Sequence, residues 1–202
     1  IIFHVGTHKT GSTAIQHTLS LEKNKRLLSE LGVAYINKWY FLLPFHRLFY
    51  NLGDNNDYLQ MVKQQLEISL NQIKENTLLI SCEDFDYCSL FTDRLFKLTC
   101  NAKGNFYESR LLFLDALQLL TENFNVKIIM YVRRQDSFLE ALYSEYVKSY
   151  HFFDSPFLEF LNTYSLERLN WYTLVNDYVH YFGKKHVEVK LFEQNQLKNN
   201  DI

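Results

Sequence analysis

The residues best placed to do chemistry come first in this chain. Ile1-Ile2-Phe3-His4-Val5 is an apolar run of strand length, and Gly6-Thr7-His8-Lys9-Thr10-Gly11-Ser12-Thr13 is rich in glycine and hydroxyls and carries one lysine. A helical pattern opens at once with Ala14-Ile15-Gln16. A strand, a glycine-bearing loop and a helix start in succession present backbone N–H groups and the positive end of a helix to an anion, usually a phosphate. Glycine admits close backbone approach, and lysine supplies a point charge. The order of residues excludes a Walker loop, in which lysine follows the second glycine. Here Ser12 follows Gly11, and Lys9 precedes that glycine by two positions.

Two further segments carry charge at predicted strand ends. Tyr131-Val132-Arg133-Arg134-Gln135-Asp136-Ser137 closes one strand and opens a helix. An arginine there suits a phosphate, because its planar fork binds two oxygens. Ser81-Cys82-Glu83-Asp84-Phe85 closes another strand. A carboxylate at that point serves either as a general base or as a helix cap. His8 and His46 are the rival bases, since histidine titrates near neutral pH.

The elements that must position these groups follow from periodicity. Strands are predicted over 1–5, 33–36, 77–82, 126–132 and 186–192. Helices are predicted over 12–22, 24–31, 56–75, 106–124, 137–150, 155–162 and 166–182, with Gly32 and Gly183 as stops. Strands alternating with long helices imply an α/β fold of three α/β/α layers with a central parallel sheet and a P-loop-like phosphate-binding loop after the first strand. Ligands of such sheets bind at the carboxyl ends of the strands. That rule gathers Lys9, Glu83 and Arg133 at one edge. Residues 37–55, with Trp39, Tyr40, Phe41, Phe45, Phe49 and Tyr50, read as an aromatic loop or insertion.

Bulk composition narrows the classes. The chain has 202 residues and 47% hydrophobic residues, enough for one domain (1–202) with a sizeable core. A net charge of −2 gives no nucleic-acid signal, so an anion must be held by a local cluster of cations. The three cysteines, Cys82, Cys88 and Cys100, lack C-x-x-C spacing. Their odd number and spacing point to a reducing, cytoplasmic location and away from a metal centre. No apolar run reaches the ~18 residues of a transmembrane helix.

The run Lys9-Thr10-Gly11-Ser12-Thr13 in its strand–loop–helix setting resembles the 5′-phosphosulfate loop of sulfotransferases that use PAPS (3′-phosphoadenosine 5′-phosphosulfate). Val132-Arg133-Arg134-Gln135-Asp136, with Glu140, Tyr143 and Val147-Lys148 after it, resembles the 3′-phosphate segment of the bacterial members. Leu169-Asn170-Trp171, Tyr181-Phe182-Gly183 and Val187-Glu188-Val189-Lys190-Leu191-Phe192-Glu193 resemble their last helix and strand. The resemblance implies sulfuryl transfer from PAPS to an acceptor hydroxyl, with PAP (3′,5′-ADP) as product and no metal. Lys9 and Glu83 take the catalytic roles. His8, Lys9, Thr10, Gly11, Ser12, Thr13, Arg133 and Ser137 hold the nucleotide.

The sequence departs from the family pattern at Ala141, where a serine often contacts the 3′-phosphate. Ser137 and Ser144 lie on the same helix face as Ala141 and are the candidate replacements. The family usually continues beyond the position of Ile202, so the chain is expected to lack a C-terminal segment. The aromatic 37–55 stretch suggests a carbohydrate or glycolipid acceptor, although a small-molecule hydroxyl fits equally. A P-loop-like nucleotide kinase or NTPase, and a nucleotide-binding module without turnover, are the competing classes. Oligomeric state is not legible.

Overall fold

The computed structural model describes residues 1–7, 10–37, 70–82, 106–149, 156–164 and 169–193, with residues 60, 63, 64, 67 and 68 of a further helical stretch. The chain forms β1 (Ile2–Gly6), α1 (Ser12–Ser20), α2 (Glu22–Glu30), β2 (Val33–Asn37) and β3 (Thr77–Ser81). It continues through α3 (Phe106–Leu120), β4 (Lys127–Val132), α4 (Gln135–Ser149), α5 (Phe157–Thr163), α6 (Trp171–Phe182), a short 3-10 turn (Lys184–His186) and β5 (Val187–Leu191). Of the aromatic 37–55 stretch, Asn37 closes β2 and residues 38–55 lie outside the described residues.

All five strands pair in parallel in the order β2-β3-β1-β4-β5. β1 is central: Ile2, Phe3 and His4 face Leu79, Ile80 and Ser81 on one side, and Ile2 to Gly6 face Lys127 to Tyr131 on the other. Alternation along the strands sends Phe3, Val5, Leu78, Ile80, Ile128, Met130 and Val132 to one face. There they meet Phe113, Leu114, Leu117 and Leu120 of α3 and Leu174 and Tyr178 of α6 in the main core. The other face carries α1 and α2. It is more polar, because His4, Gly6 and Ser81 share it. A second cluster of Phe138, Leu139, Phe160 and Leu169 packs α4 against α5, and Trp171 touches both clusters. The three-layer α/β/α architecture expected from the sequence is the one observed.

Several boundaries differ from the periodicity. α1 stops at Ser20 because Leu21 is extended (ψ 132°). α3 ends at Leu120, where the Thr121 hydroxyl turns back on the Leu117 carbonyl at 2.7 Å. α4 begins at Gln135, two residues before the predicted start. The Phe138 N–H bonds the Arg134 carbonyl at 2.8 Å, making Arg134 the N-cap. α6 begins at Trp171, where the Asn170 side chain accepts the Thr173 N–H at 3.1 Å.

Inside the α3–α6 packing Arg110 and Asp177 form an ion pair, 6% and 9% exposed. Two charges withdrawn from water are tolerated only as a pair, and removing one strands the other. Asp177→Ala is therefore expected to destabilise the protein by ~3–5 kcal/mol. Chemical denaturation read by circular dichroism checks this, and a loss below about 1 kcal/mol would show that Arg110 finds another anion.

Candidate anion-binding site

The loop after β1 is shaped by two glycines. A Cβ on Gly6 would stand 2.6 Å from the Thr10 hydroxyl oxygen, so only glycine lets Thr10 fold back here. That hydroxyl donates to the Thr7 carbonyl at 2.6 Å, closing the turn from within. Gly11 sits at φ 72°, ψ 9°, in the left-handed region, and is the N-cap of α1. Having no side chain, it leaves the first-turn amides of α1 without a side-chain cap. Ser12 is buried in that turn and Thr13 is exposed. The result is a helix N-terminus, with its partial positive charge, facing the carboxyl edge of the sheet.

Thr7 was not singled out by the sequence, yet it is the most unusual residue of the loop. Its N–H continues the β1–β4 ladder onto the Tyr131 carbonyl at 2.9 Å. Its side chain is fully buried, and its hydroxyl has no hydrogen-bond partner among the described residues. A buried orphan hydroxyl costs ~1–3 kcal/mol, and such costs concentrate at functional sites. The only sequence signal was one more hydroxyl in a run of them.

Beneath the loop lies a polar layer that periodicity read simply as strand. His4 Nδ1 and the Ser81 hydroxyl share a hydrogen bond of 2.7 Å, and the Gln16 amide donates to the Ser81 carbonyl at 3.3 Å. The Cys82 N–H donates to the His4 carbonyl at 3.0 Å. These bonds pin the carboxyl end of β3 to β1 and α1, one residue before Glu83. Residues His8, Lys9, His46 and Glu83 lie outside the described residues.

The second charged segment is built by β4, α4 and α6 together. Trp171 Nε1 donates to the Arg133 carbonyl at 2.8 Å, so the start of α6 fixes the turn that leaves β4. Arg134 donates its backbone N–H to the Glu193 carboxylate at 3.0 Å, and its guanidinium pairs with Asp136 at 2.5 Å. Asp136 also accepts the Ser137 N–H at 2.7 Å. That amide bond first, and the Arg134 guanidinium second, hold the Asp136 carboxyl below the ordinary aspartate range. Arg134 is pushed up by the same contact. Ser144, the other candidate for the hydroxyl missing at Ala141, donates to the Glu140 carbonyl of its own helix at 2.8 Å.

The fold thus brings the Gly6–Thr13 loop, the end of β3 and the Arg133–Ser137 turn to one sheet edge. β1 connects toward β2 and β4 toward β5, on opposite sides, so the crevice between their carboxyl ends is a topological switch point. A cavity of about 650 Å³ lies at the other edge, before β4 and β5. It is lined by Asp115 and Glu122, which are already bonded to Tyr181 and Lys63, and by Leu119, Phe124, Phe182 and His186. The glycine-entered helix start and the Arg133–Arg134 turn lie at the first edge. Among the described residues no cluster of side chains has the make-up of a metal site, and no helix is long and apolar enough to cross a membrane.

Comparison with known proteins gives fold likeness without sequence likeness. No protein-family model and no curated protein sequence matches the chain. A sulfotransferase structure from Alicyclobacillus acidocaldarius superposes with a TM-score of 0.52 at 15% identity, covering 96% of this chain and 74% of that one. The shared property is the fold. A gluconokinase structure from Sinorhizobium meliloti 1021 aligns at 10% identity and a TM-score of 0.34, over 96% of this chain and 82% of that one, which is too distant to bear on the site.

Thr7→Val keeps the shape and removes the orphan hydroxyl. Stability is expected to rise by about 1 kcal/mol, seen as a melting temperature higher by roughly 2–4 °C. A fall would show that the hydroxyl is satisfied in solution.

Proposed function

We propose that this chain is a PAPS-dependent sulfotransferase-like domain that moves a sulfuryl group from the nucleotide to an acceptor hydroxyl. The observation that carries the reading is the pairing of an uncapped α1 N-terminus, entered through Gly6 and Gly11, with an arginine turn on the adjacent strand β4. One phosphate loop alone fits many nucleotides. A second turn, bearing two arginines, at the neighbouring strand end favours a ligand with two separated phosphates. The fold of the A. acidocaldarius sulfotransferase supports the same reading.

The residues present fit such a donor. The close approach at Gly6 leaves no room for a Cβ, and the buried Thr7 hydroxyl is a donor without an acceptor among the described residues. The donor supplies an activated sulfuryl group on a phosphate leaving group, and the chain positions the reactants and neutralises charge. The first-turn amides of Ser12 and Thr13 hold the 5′-phosphate. Thr10 contributes through its backbone, since its hydroxyl is engaged with Thr7. His8 lines the same loop. Lys9 stabilises the bridging oxygen as the sulfur–oxygen bond to phosphate breaks. Glu83 takes the proton of the acceptor hydroxyl as the new sulfur–oxygen bond forms. Arg133 and Ser137 hold the 3′-phosphate and so select against ordinary 5′-nucleotides. The acceptor is a carbohydrate, glycolipid or small-molecule hydroxyl, and the setting is cytoplasmic with no metal required.

Thermal shift separates this reading from a kinase-like one. 3′,5′-ADP at ~100 times its Kd should add about 2.7 kcal/mol, and ADP should add less. Equal shifts would remove the 3′-phosphate role of Arg133, and magnesium-dependent ATP turnover would favour a kinase.

Lys9→Ala removes one charge aimed at the leaving oxygen. Its kcat for sulfuryl transfer is expected to fall on the order of 10²–10³-fold, while 3′,5′-ADP still binds through the loop amides. Unchanged turnover would sink the assignment of the loop.

A further inference from the structure

The donors at the start of α4 are engaged with a carboxylate of the same helix. Asp136 Oδ1 accepts the Ser137 N–H at 2.7 Å and lies 3.4 Å from the Ser137 hydroxyl, while Oδ2 pairs with the Arg134 guanidinium at 2.5 Å. One carboxylate therefore meets an amide, a hydroxyl and a guanidinium, the same set that a phosphate group takes. Close by, Glu193 from the strand-β5 exit accepts the Arg134 N–H. Two arginines and two carboxylates leave this turn with no net charge.

We propose that Asp136 is an internal competitor for the nucleotide's 3′-phosphate and sets the affinity of that end of the site. The inference rests on the reading that the 3′-phosphate sits at the Arg133–Ser137 turn. An incoming phosphate must displace the Asp136 carboxylate from Ser137 and share Arg134 with it, and two anions drawn to the same donors repel each other. Asp136 stays ionised through the neutral range, since its amide and guanidinium partners favour the charged form. Tempered affinity has a use: the product 3′,5′-ADP carries the same 3′-phosphate as the donor, and a site without the competitor would release it slowly. A simpler role for Asp136 is a first-turn carboxylate that stabilises α4 through the helix dipole. The two roles differ in what they change. The dipole role moves stability, and the competitor role moves affinity in proportion to the 3′-phosphate.

The test is isothermal titration of the full chain with 3′,5′-ADP and with 5′-AMP, comparing wild type with Asp136→Asn. The side chain is 60% exposed, so the fold tolerates the change, and Asp136→Ser is a second variant of smaller size. Asparagine keeps the shape and removes the charge. 3′,5′-ADP is expected to bind ~3–10-fold more tightly to the variants, with 5′-AMP changed by less than about twofold. Unchanged or weaker 3′,5′-ADP binding overturns the proposal, as does equal tightening of both nucleotides, which reports a general charge effect. Wild-type binding of 3′,5′-ADP without a variant effect leaves the site reading standing and removes only the competitor. Absence of 3′,5′-ADP binding in every form removes both.

Discussion

The pairing of β1 on both of its edges is the constraint on which the rest of the structure depends. Its neighbours β3 and β4 run parallel to it, so three carboxyl ends emerge side by side. The Gly6–Thr13 loop follows the first, Glu83 follows the second by two residues, and Arg133 follows the third directly. A parallel strand in the centre of a sheet must be covered on both faces, which is why helices are needed above and below it. The apolar side is satisfied by Phe3 and Val5 against α3 and α6. The side toward α1 carries His4 and Gly6 instead, and the cost of that polarity is offset by hydrogen bonds to Ser81 from His4 and Gln16. The polar layer lies directly under the loop, so the groups that weaken the core are the ones that fix the site.

The loop itself is a place where local preferences are set against stability. An uncapped helix start and a buried hydroxyl with no partner among the described residues each cost free energy in a chain without function. The first is the opening turn of α1 and the second is Thr7. An anion accepting hydrogen bonds at the start of α1 remedies the first. The geometry and the energetics therefore point the same way, independently of any likeness to another protein.

Charge is handled locally. A chain with a net charge of −2 does not attract an anionic nucleotide from a distance. The groups able to attract one are the amides of a helix end and the arginines at one edge. Even there the cations are partly matched, by Asp136 at Arg134 and by Glu193 at the Arg134 amide. Trp171 holds the turn from behind by its bond to the Arg133 carbonyl, and it also joins the two hydrophobic clusters. Packing at the base of α6 is in this way mechanically tied to the arginine turn.

Much of this was legible in the chain alone. Short apolar runs of strand length marked the strands, most clearly the central ones, because burial on both faces leaves a continuous hydrophobic signature. Glycine, hydroxyls and lysine between a strand and a helix pointed to an anion loop, because those residue types follow from backbone approach and hydrogen bonding, which are local properties. Strand ends with Arg133 and Glu83 could be assigned to one edge by the rule for parallel sheets. What the sequence did not carry was everything set by contact across the fold. That Thr7 is buried with its hydroxyl unpaired depends on how the loop closes over it, and Thr7 has the same local signature as Thr10. The start of α4 at Gln135 and the place of Asp136 on Ser137 depend on Arg134 acting as the cap, with Glu193 contributed from fifty-nine residues away. The clamp of His4 and Gln16 on Ser81 joins β1, α1 and β3, which meet only when the strand order places β3 beside β1. Residue type fixes which chemistry is available, through short-range sterics and polarity; the tertiary structure decides which donors are already engaged, because engagement is a matter of distances between elements far apart in the chain.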